Sequence, residues 1–303
     1  MIDCGDNAVE GKWLGRRFVD LHTHSVASDG TFAPAEIAAL ADEIGLAAVA
    51  LADHDTVSGV DEFLDAGGRF PELETVPGVE ISADFDNREL HIVGLFVDHR
   101  DESLLELLRE IRGNRDKRNE ELVGKLRALG FEISLDELMA EAGGESIGRP
   151  IVAKILVGKG YFSEPQEVFD KCLNRNGPAY CKRILPEPER AIDAIHVAGG
   201  LAIWAHPLHR AGSDRSFMRR VLRKTVPMGL DGVEAYYTKF APEHTRAVLD
   251  VAGEFDLPVS GGSDFHGGNQ IGVELGTGRG ELEVPLEAFA RLREIWNVRT
   301  ARA

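Results

Sequence analysis

Short apolar runs alternate with amphipathic stretches along the chain, and most runs stop at a polar or glycine-bearing break. Residues 18–22 read as a first strand, and 34–44, beginning just after Thr31, as an amphipathic helix. The run at 47–52 is apolar throughout, the pattern of a strand covered on both faces. A helix over 57–70, with Gly67-Gly68 near its end, precedes strands over 75–81 and 89–97. Buried strands alternating with helices predict a parallel α/β sheet or barrel.

After Val97 the pattern changes. Residues 102–129 are strongly helical, with Leu104, Leu105, Leu108 and Ile111 recurring at helical spacing. Between Arg109 and Arg127 stand seven Lys or Arg against four Asp or Glu. Shorter helical pieces continue to about 169, so 100–180 reads as a helical insertion carried on a barrel loop, where barrels place substrate-specific elements. The alternation resumes with a helix at 188–198, strands at 201–205 and 232–236, a helix at 242–255, a strand at 257–260 and a helix at 286–296. Seven barrel-type strands result, with no fixed-period repeat. The expected division is a frayed tail over 1–15, a barrel over 16–99 and 181–303, and the insertion between.

Composition narrows the class. With 303 residues and an apolar fraction of 43%, the chain suits one large α/β domain plus an insertion. No apolar stretch approaches the ~20 residues that span a bilayer, and the first residues lack a basic-then-apolar leader pattern, so neither a membrane partner nor secretion is expected. Three cysteines, Cys4, Cys172 and Cys181, without a C-x-x-C spacing point to free thiols and a reducing cytoplasm. A net charge of −17 repels long polyanions, which argues against a duplex nucleic-acid partner but not against a small phosphorylated substrate. Oligomeric state leaves no signal in the sequence.

The chemistry sits at the strand ends. His22 and His24 share a strand face at i, i+2, and Asp29 follows in a turn. Asp53-His54-Asp55 ends the second apolar run, where a flanking carboxylate is placed to hold the second ring nitrogen of His54. Glu80 lies in an apolar strand, where an uncompensated carboxylate costs several kcal/mol or takes up a proton. His91 sits on another strand, His206 precedes a proline at a strand tip, and Asp264 and His266 lie two apart among glycines. Each alone is compatible with an ordinary core or loop residue. Together they hold six of the ten histidines, and imidazole with carboxylate is the donor set of Zn, Mn or Fe sites. A barrel brings such strand ends to one face, so the chain is expected to be a metal-dependent hydrolase.

These motifs resemble the PHP (polymerase and histidinol phosphatase) superfamily over nearly the whole chain from Phe18. Within it the chain is similar to the stand-alone bacterial branch that includes ribonuclease AM and nucleoside 3′,5′-bisphosphate phosphatases. That branch carries a Gly-Arg-Pro motif, here Gly148-Arg149-Pro150, and a Gly-Pro-Ala-Tyr motif, here residues 177–180. The resemblance implies a distorted, TIM-like (β/α) barrel of seven strands holding three divalent ions, Mn²⁺ first, with Fe²⁺ or Zn²⁺ as alternatives. It assigns His22, His24, Glu80 and Asp264 to one ion, Asp29, His54 and His266 to a second, and bridging Glu80 with His91 and His206 to a third. Departures are Ile151, where many relatives have His, and the run Cys181-Lys182-Arg183, where the placement of the basic residue varies.

The implied reaction is phosphoester hydrolysis by a hydroxide shared between ions and attacking phosphorus in line. Substrates would be small: a 3′,5′-bisphosphonucleotide losing its 3′ phosphate, or a short oligonucleotide digested from its 5′ end. Arg149, Lys182 and Arg183 are candidate phosphate contacts, with Lys239 a further one. Asp55 and His209 are candidate catalytic groups. The rival readings are a histidinol-phosphate phosphatase, an amidohydrolase, which would be expected to carry a lysine at a strand end, and a non-catalytic metal-stabilised module, which would be expected to have lost ligands.

Overall fold

The computed structural model describes residue 15 and residues 18–142, 148–209 and 214–301. The tail expected over 1–15 lies outside the described residues, Gly15 excepted. The described elements run β1 (Val19–Thr23), α1 (Pro34–Glu43), β2 (Ala48–Leu51), α2 (Val60–Gly67), β3 (Glu74–Phe85), β4 (Arg88–Leu95), α3 (Glu102–Ala128), α4 (Leu135–Ala142), α5 (Arg149–Gly158) and α6 (Pro165–Val168). After a π-helical turn at Phe169–Leu173 come α7 (Pro188–Val197), β5 (Leu201–Trp204), α8 (Arg215–Thr225), β6 (Gly232–Tyr237), α9 (Pro242–Glu254), β7 (Val259–Gly262) and α10 (Leu286–Thr300). None of the described helices is long and apolar enough to cross a membrane.

The chain divides into two compact units, residues 1–107 with 186–303, and residues 108–185. In the first unit, the seven strands lie in sequence order in one sheet. β1/β2, β2/β3, β5/β6 and β6/β7 pair in parallel. The sheet curls until the chain after β7 meets β1: Asp264 N donates to His22 O, and His24 N to Phe265 O, each at 2.9 Å. This is a nearly closed seven-stranded α/β barrel.

One strand departs from the expected parallel arrangement. β4 runs antiparallel to both β3 and β5. Only Asp86 and Asn87 separate β3 from β4, at φ of +51° and +60°, a tight hairpin turn. A parallel crossover needs a dozen or more residues, so so short a link permits only the hairpin. His91 therefore reaches the site from mid-strand, paired opposite Ser82, and not from a strand end.

Period-2 alternation decides what each strand delivers. Val19 and Leu21 of β1 join an apolar cluster with Ala48, Ala50, Val93, Leu95, Leu201, Ile203 and the α10 side chains Phe289 and Leu292. The intervening positions of β1 are Asp20 and His22, and His24 continues that face. Helix α10 is tied down by Trp296 Nε1, which donates to Gly199 O at 2.9 Å, and by Arg299, which pairs with Asp231.

The second unit has its own core. Leu122 and Leu126 of α3 pack with Leu138, Val152, Leu156 and Leu173, and with the buried free thiols Cys172 and Cys181.

Candidate functional site

Glu80 stands at the centre, fully buried on β3. Its Oε1 lies 2.8 Å from His91 Nδ1 and 3.0 Å from His206 Nε2. Its Oε2 lies 2.9 Å from His54 Nδ1, 3.3 Å from His22 Nε2 and 3.4 Å from His24 Nε2. Asp264 Oδ1 comes within 3.2 Å of His24 Nε2, and Asp29 Oδ1 within 3.2 Å of His266 Nε2. All nine proposed ligands thus converge in the barrel unit. Their donor atoms form three groups, each within 4.8 Å: His22, His24, Glu80 and Asp264; His24, Asp29, His54 and His266; and His54, Glu80 and His91.

Four buried atoms test whether these groups suit a cation. His22 Nε2, both ring nitrogens of His24, and Glu80 Oε2 have no hydrogen-bond partner. Buried polar atoms are nearly always satisfied, and a set of orphaned lone pairs facing one another is costly without positive charge among them. Nitrogen and oxygen donors in this mixture fit a divalent transition metal.

The electrostatics agree. Burial, reinforced by the neighbouring His266 and His54 rings, pushes the His24 pKa down to about 3, so that imidazole is neutral and able to donate a lone pair. Burial opposes charging of His91 and His266 as well, but carboxylates outweigh it. Glu80 and Glu89 raise His91 to about 10, and Asp29 and Asp264 raise His266 to about 9. Glu80 and Asp264 are held well below the ordinary carboxylate range by the surrounding imidazoles, against the effect of burial.

The residues that aim the ligands are less conspicuous in sequence. Glu234 on β6 places Oε1 3.0 Å from His22 Nδ1, while its Oε2 accepts from His206 N at 2.7 Å. Gly232-Val233-Glu234 repeats the Gly78-Val79-Glu80 pattern, the signal that marks both as carboxylates inside apolar strands. Tyr237 Oη donates to Asp264 Oδ2 at 2.9 Å. Asp20 accepts from Ser263 N and Oγ, Gly276 N and His22 N, joining the barrel's two ends; its burial lifts its pKa to about 6. His206 and Asp264 carry positive φ values of +34° and +54°, strain that clusters where side chains must be aimed.

Two expectations are corrected. Asp55 is not positioned as a catalytic group: buried at φ +52°, its carboxylate accepts from Ser82 N at 2.9 Å and Oγ at 3.3 Å, tethering β3. Asp53 likewise turns to Ser25 N and Oγ and to Ser28 Oγ, and the ring nitrogens of His54 face Glu80 and Asp29.

A cavity of about 390 Å³ opens on the cluster, lined by His54, His91, His206, Asp264 and His266 together with His209, Tyr237, Lys239, Asn269 and Gln270. That size suits a small ligand. The His209 ring packs against Tyr237 and His206, at 5.4 and 5.8 Å between centroids. With its amide nitrogen facing Asp264 O at 2.5 Å, Gln270 accepts from Lys239 Nζ at 2.6 Å. Arg149, Lys182 and Arg183 belong to the second unit, and there Arg149 Nη1 donates to Leu173 O at 3.4 Å.

A profile described as "PHP domain" matches residues 20–138. The chain is 36% identical over 247 residues to a 5′-3′ exoribonuclease from Haemophilus influenzae, covering 82% of this chain and 89% of that one. It is 31% identical over 259 residues to a 3′,5′-nucleoside bisphosphate phosphatase from Chromobacterium violaceum, covering 85% and 90%. Among solved structures, a candidate metal-dependent phosphoesterase from Bifidobacterium adolescentis superposes with a TM-score of 0.73 at 30% identity, covering 90% and 94%. Barrel, cluster and relatives together define a metal-dependent phosphoesterase. The chain belongs to the PHP domain family.

Proposed function

We propose that the chain hydrolyses small phosphorylated nucleotides, as a 3′,5′-bisphosphonucleotide phosphatase, a 5′-3′ exonuclease on short oligonucleotides, or both. The observation that carries this reading is the set of orphaned buried atoms on His22, His24 and Glu80, beside a cavity of about 390 Å³. The exoribonuclease and bisphosphate phosphatase activities named for two relatives support the substrate class.

Three divalent ions, Mn²⁺ or else Fe²⁺ or Zn²⁺, would be held as the groups divide: His22, His24, Glu80 and Asp264; Asp29, His54 and His266; Glu80, His91 and His206. When bound, such ions polarise phosphoryl oxygens and lower the pKa of water toward ~7. Neutral His24 presents a lone pair, Tyr237 fixes the Asp264 carboxylate, and Glu234 turns His22 Nε2 toward the cluster. Lys239, held by Gln270 at the cavity wall, offers an ammonium to a phosphate oxygen, and His209 a proton to the leaving oxygen. Arg149, Lys182 and Arg183 on the helical insertion complete the phosphate contacts in this reading. A cytoplasmic location belongs to it too, supported by the free thiols Cys172 and Cys181.

Two rivals lose ground. None of the seven described strands contains the lysine expected of an amidohydrolase. A non-catalytic module predicts missing ligands, and every position is filled. An assay with Mn²⁺ across 3′,5′-bisphosphonucleotides, 5′-phosphorylated short RNA and histidinol phosphate tests the proposal. Turnover of the first two supports it; turnover of histidinol phosphate alone, or of none, refutes it.

A further inference from the structure

The second unit holds a group that the cluster chemistry does not use. Arg118 on α3 is 7% exposed. Its Nη1 donates to Asn119 Oδ1 at 2.8 Å, but its Nε has no hydrogen-bond partner. A guanidinium carries five donors and stays charged across physiological pH, so burying one normally requires an acceptor of opposite charge. The charges that act most on Arg118 are of its own sign. Burial first, then Arg149, Arg183 and Arg115, push its pKa down to about 10.

The backbone adds to the same field. Arg149 is the first residue of α5, a ten-residue helix whose N-cap, Gly148, supplies no side-chain cap. Its first turn contains no acidic residue, so the positive end of the helix dipole is left uncompensated by the chain. Pro150 has no N–H, and the remaining first-turn donors have no partner within the helix. Positive groups from α3, from the start of α5 and from the segment after Cys181 thus act on one buried guanidinium. An apolar residue at 118 would serve packing with Leu122 better. Convergence of like charge on a partly unsatisfied donor is what an anion site requires.

We propose that the second unit carries a phosphate subsite built from Arg118 and from the N-terminus of α5 with its Arg149. The group it takes is a phosphate monoester dianion, gripped through the guanidinium edges and the first-turn N–H donors. As a second phosphate-recognising element, it deepens the functional reading above and rests on it for the identity of the physiological ligand. Inorganic phosphate and the phosphate of a nucleotide offer the same chemistry, and the titration below separates them.

The test is calorimetric titration of the full chain with inorganic phosphate, and separately with a nucleoside 5′-monophosphate, before and after chelation of metal. The wild-type protein should keep one phosphate site after chelation, and the nucleotide should bind that site more tightly than inorganic phosphate. Arg118→Gln and Arg149→Gln should each weaken it at least tenfold, and Arg118→Lys should recover only part of the loss because the fork is gone. Arg149 is exposed, so its variant reports even if replacement of buried Arg118 impairs folding. In the metal-loaded enzyme, Arg149→Gln should raise KM for a bisphosphonucleotide far more than it lowers kcat. Wild-type phosphate affinity in Arg149→Gln, or no phosphate site in the chelated wild-type chain, would overturn the subsite. Phosphate binding lost in the variants, in a protein that cleaves no phosphoester, would instead leave the subsite standing and remove the functional reading.

Discussion

Glu234 reaches across the barrel to His22, with Oε1 3.0 Å from Nδ1, and with its other oxygen holds the backbone N–H of His206 at 2.7 Å. One carboxylate on β6 thereby orients ligands delivered by β1 and by the end of β5, and turns His22 Nε2 inward. Carboxylates behind ligating imidazoles are typically worth ~10–100-fold in metal affinity. Glu234→Ala should lower metal affinity by about that range, and Glu234→Gln by less, because the amide still accepts from Nδ1–H. Metal titration of both variants checks this; unchanged affinity in Glu234→Ala would remove Glu234 from the site's support.

Asp264 approaches His24 and is held in turn by Tyr237. Asp264→Asn keeps the shape but removes the charge. Turnover should drop by more than about a hundredfold, exceeding the effect of a supporting residue. Steady-state kinetics with the metal content of each preparation measured decides whether the loss tracks ions bound.

The pH dependence of metal uptake follows from the raised histidines. With pKa values of about 10 for His91 and about 9 for His266, both rings carry a proton at neutral pH when no cation competes. A metal must displace those protons, so affinity should rise with pH until about pH 9–10, by roughly tenfold per unit for each proton released. Calorimetry in buffers of differing ionisation enthalpy would report the released protons, and a pH-independent affinity would contradict the assignment.

Gly262 ends β7 against β1. A Cβ there would lie 2.4 Å from His22 Cβ and 2.5 Å from His22 N. Gly262→Ala must push the strands apart, at a cost of about 1–3 kcal/mol. The expected readouts are a lower melting temperature and a weakened metal site.

On the barrel's supporting structure, burial alone would raise the Asp231 pKa, but hydrogen bonds from His196 and Arg299 outweigh it and hold the carboxyl below its usual range. A depressed carboxylate stabilises the fold at pH above its unfolded value near ~3.9, and the contribution fades as pH falls through the folded value. Asp231→Asn should therefore cost about 1.5–3 kcal/mol at pH 7 and progressively less below about pH 4. Denaturant unfolding at both pH values measures the difference.

How much of this was legible in the sequence depends on what each residue had to do. The nine ligands stood out because each is an imidazole or carboxylate abutting an apolar run, an expensive placement without a purpose. Glu234, Asp20 and Tyr237 passed unread, since a lone polar residue inside a strand does not reveal what it faces 212 or 243 residues away. The hairpin at Asp86-Asn87 was written in the chain, for the link between two apolar strands was too short for a crossover. The division between units at 107 and 108 falls inside the continuous helix α3, where no change of periodicity marks it. Arg118 looked like one more charge on a basic helix, and only tertiary packing makes it a buried one.

The most direct test of the central claim is elemental analysis of the purified full chain, paired with phosphate release from a 3′,5′-bisphosphonucleotide before chelation, after it, and after Mn²⁺ is restored. The account predicts divalent metal in the wild-type protein, less in Asp264→Asn, activity lost on chelation, and activity regained with the metal. Full phosphate release from a protein shown to contain no metal would contradict it.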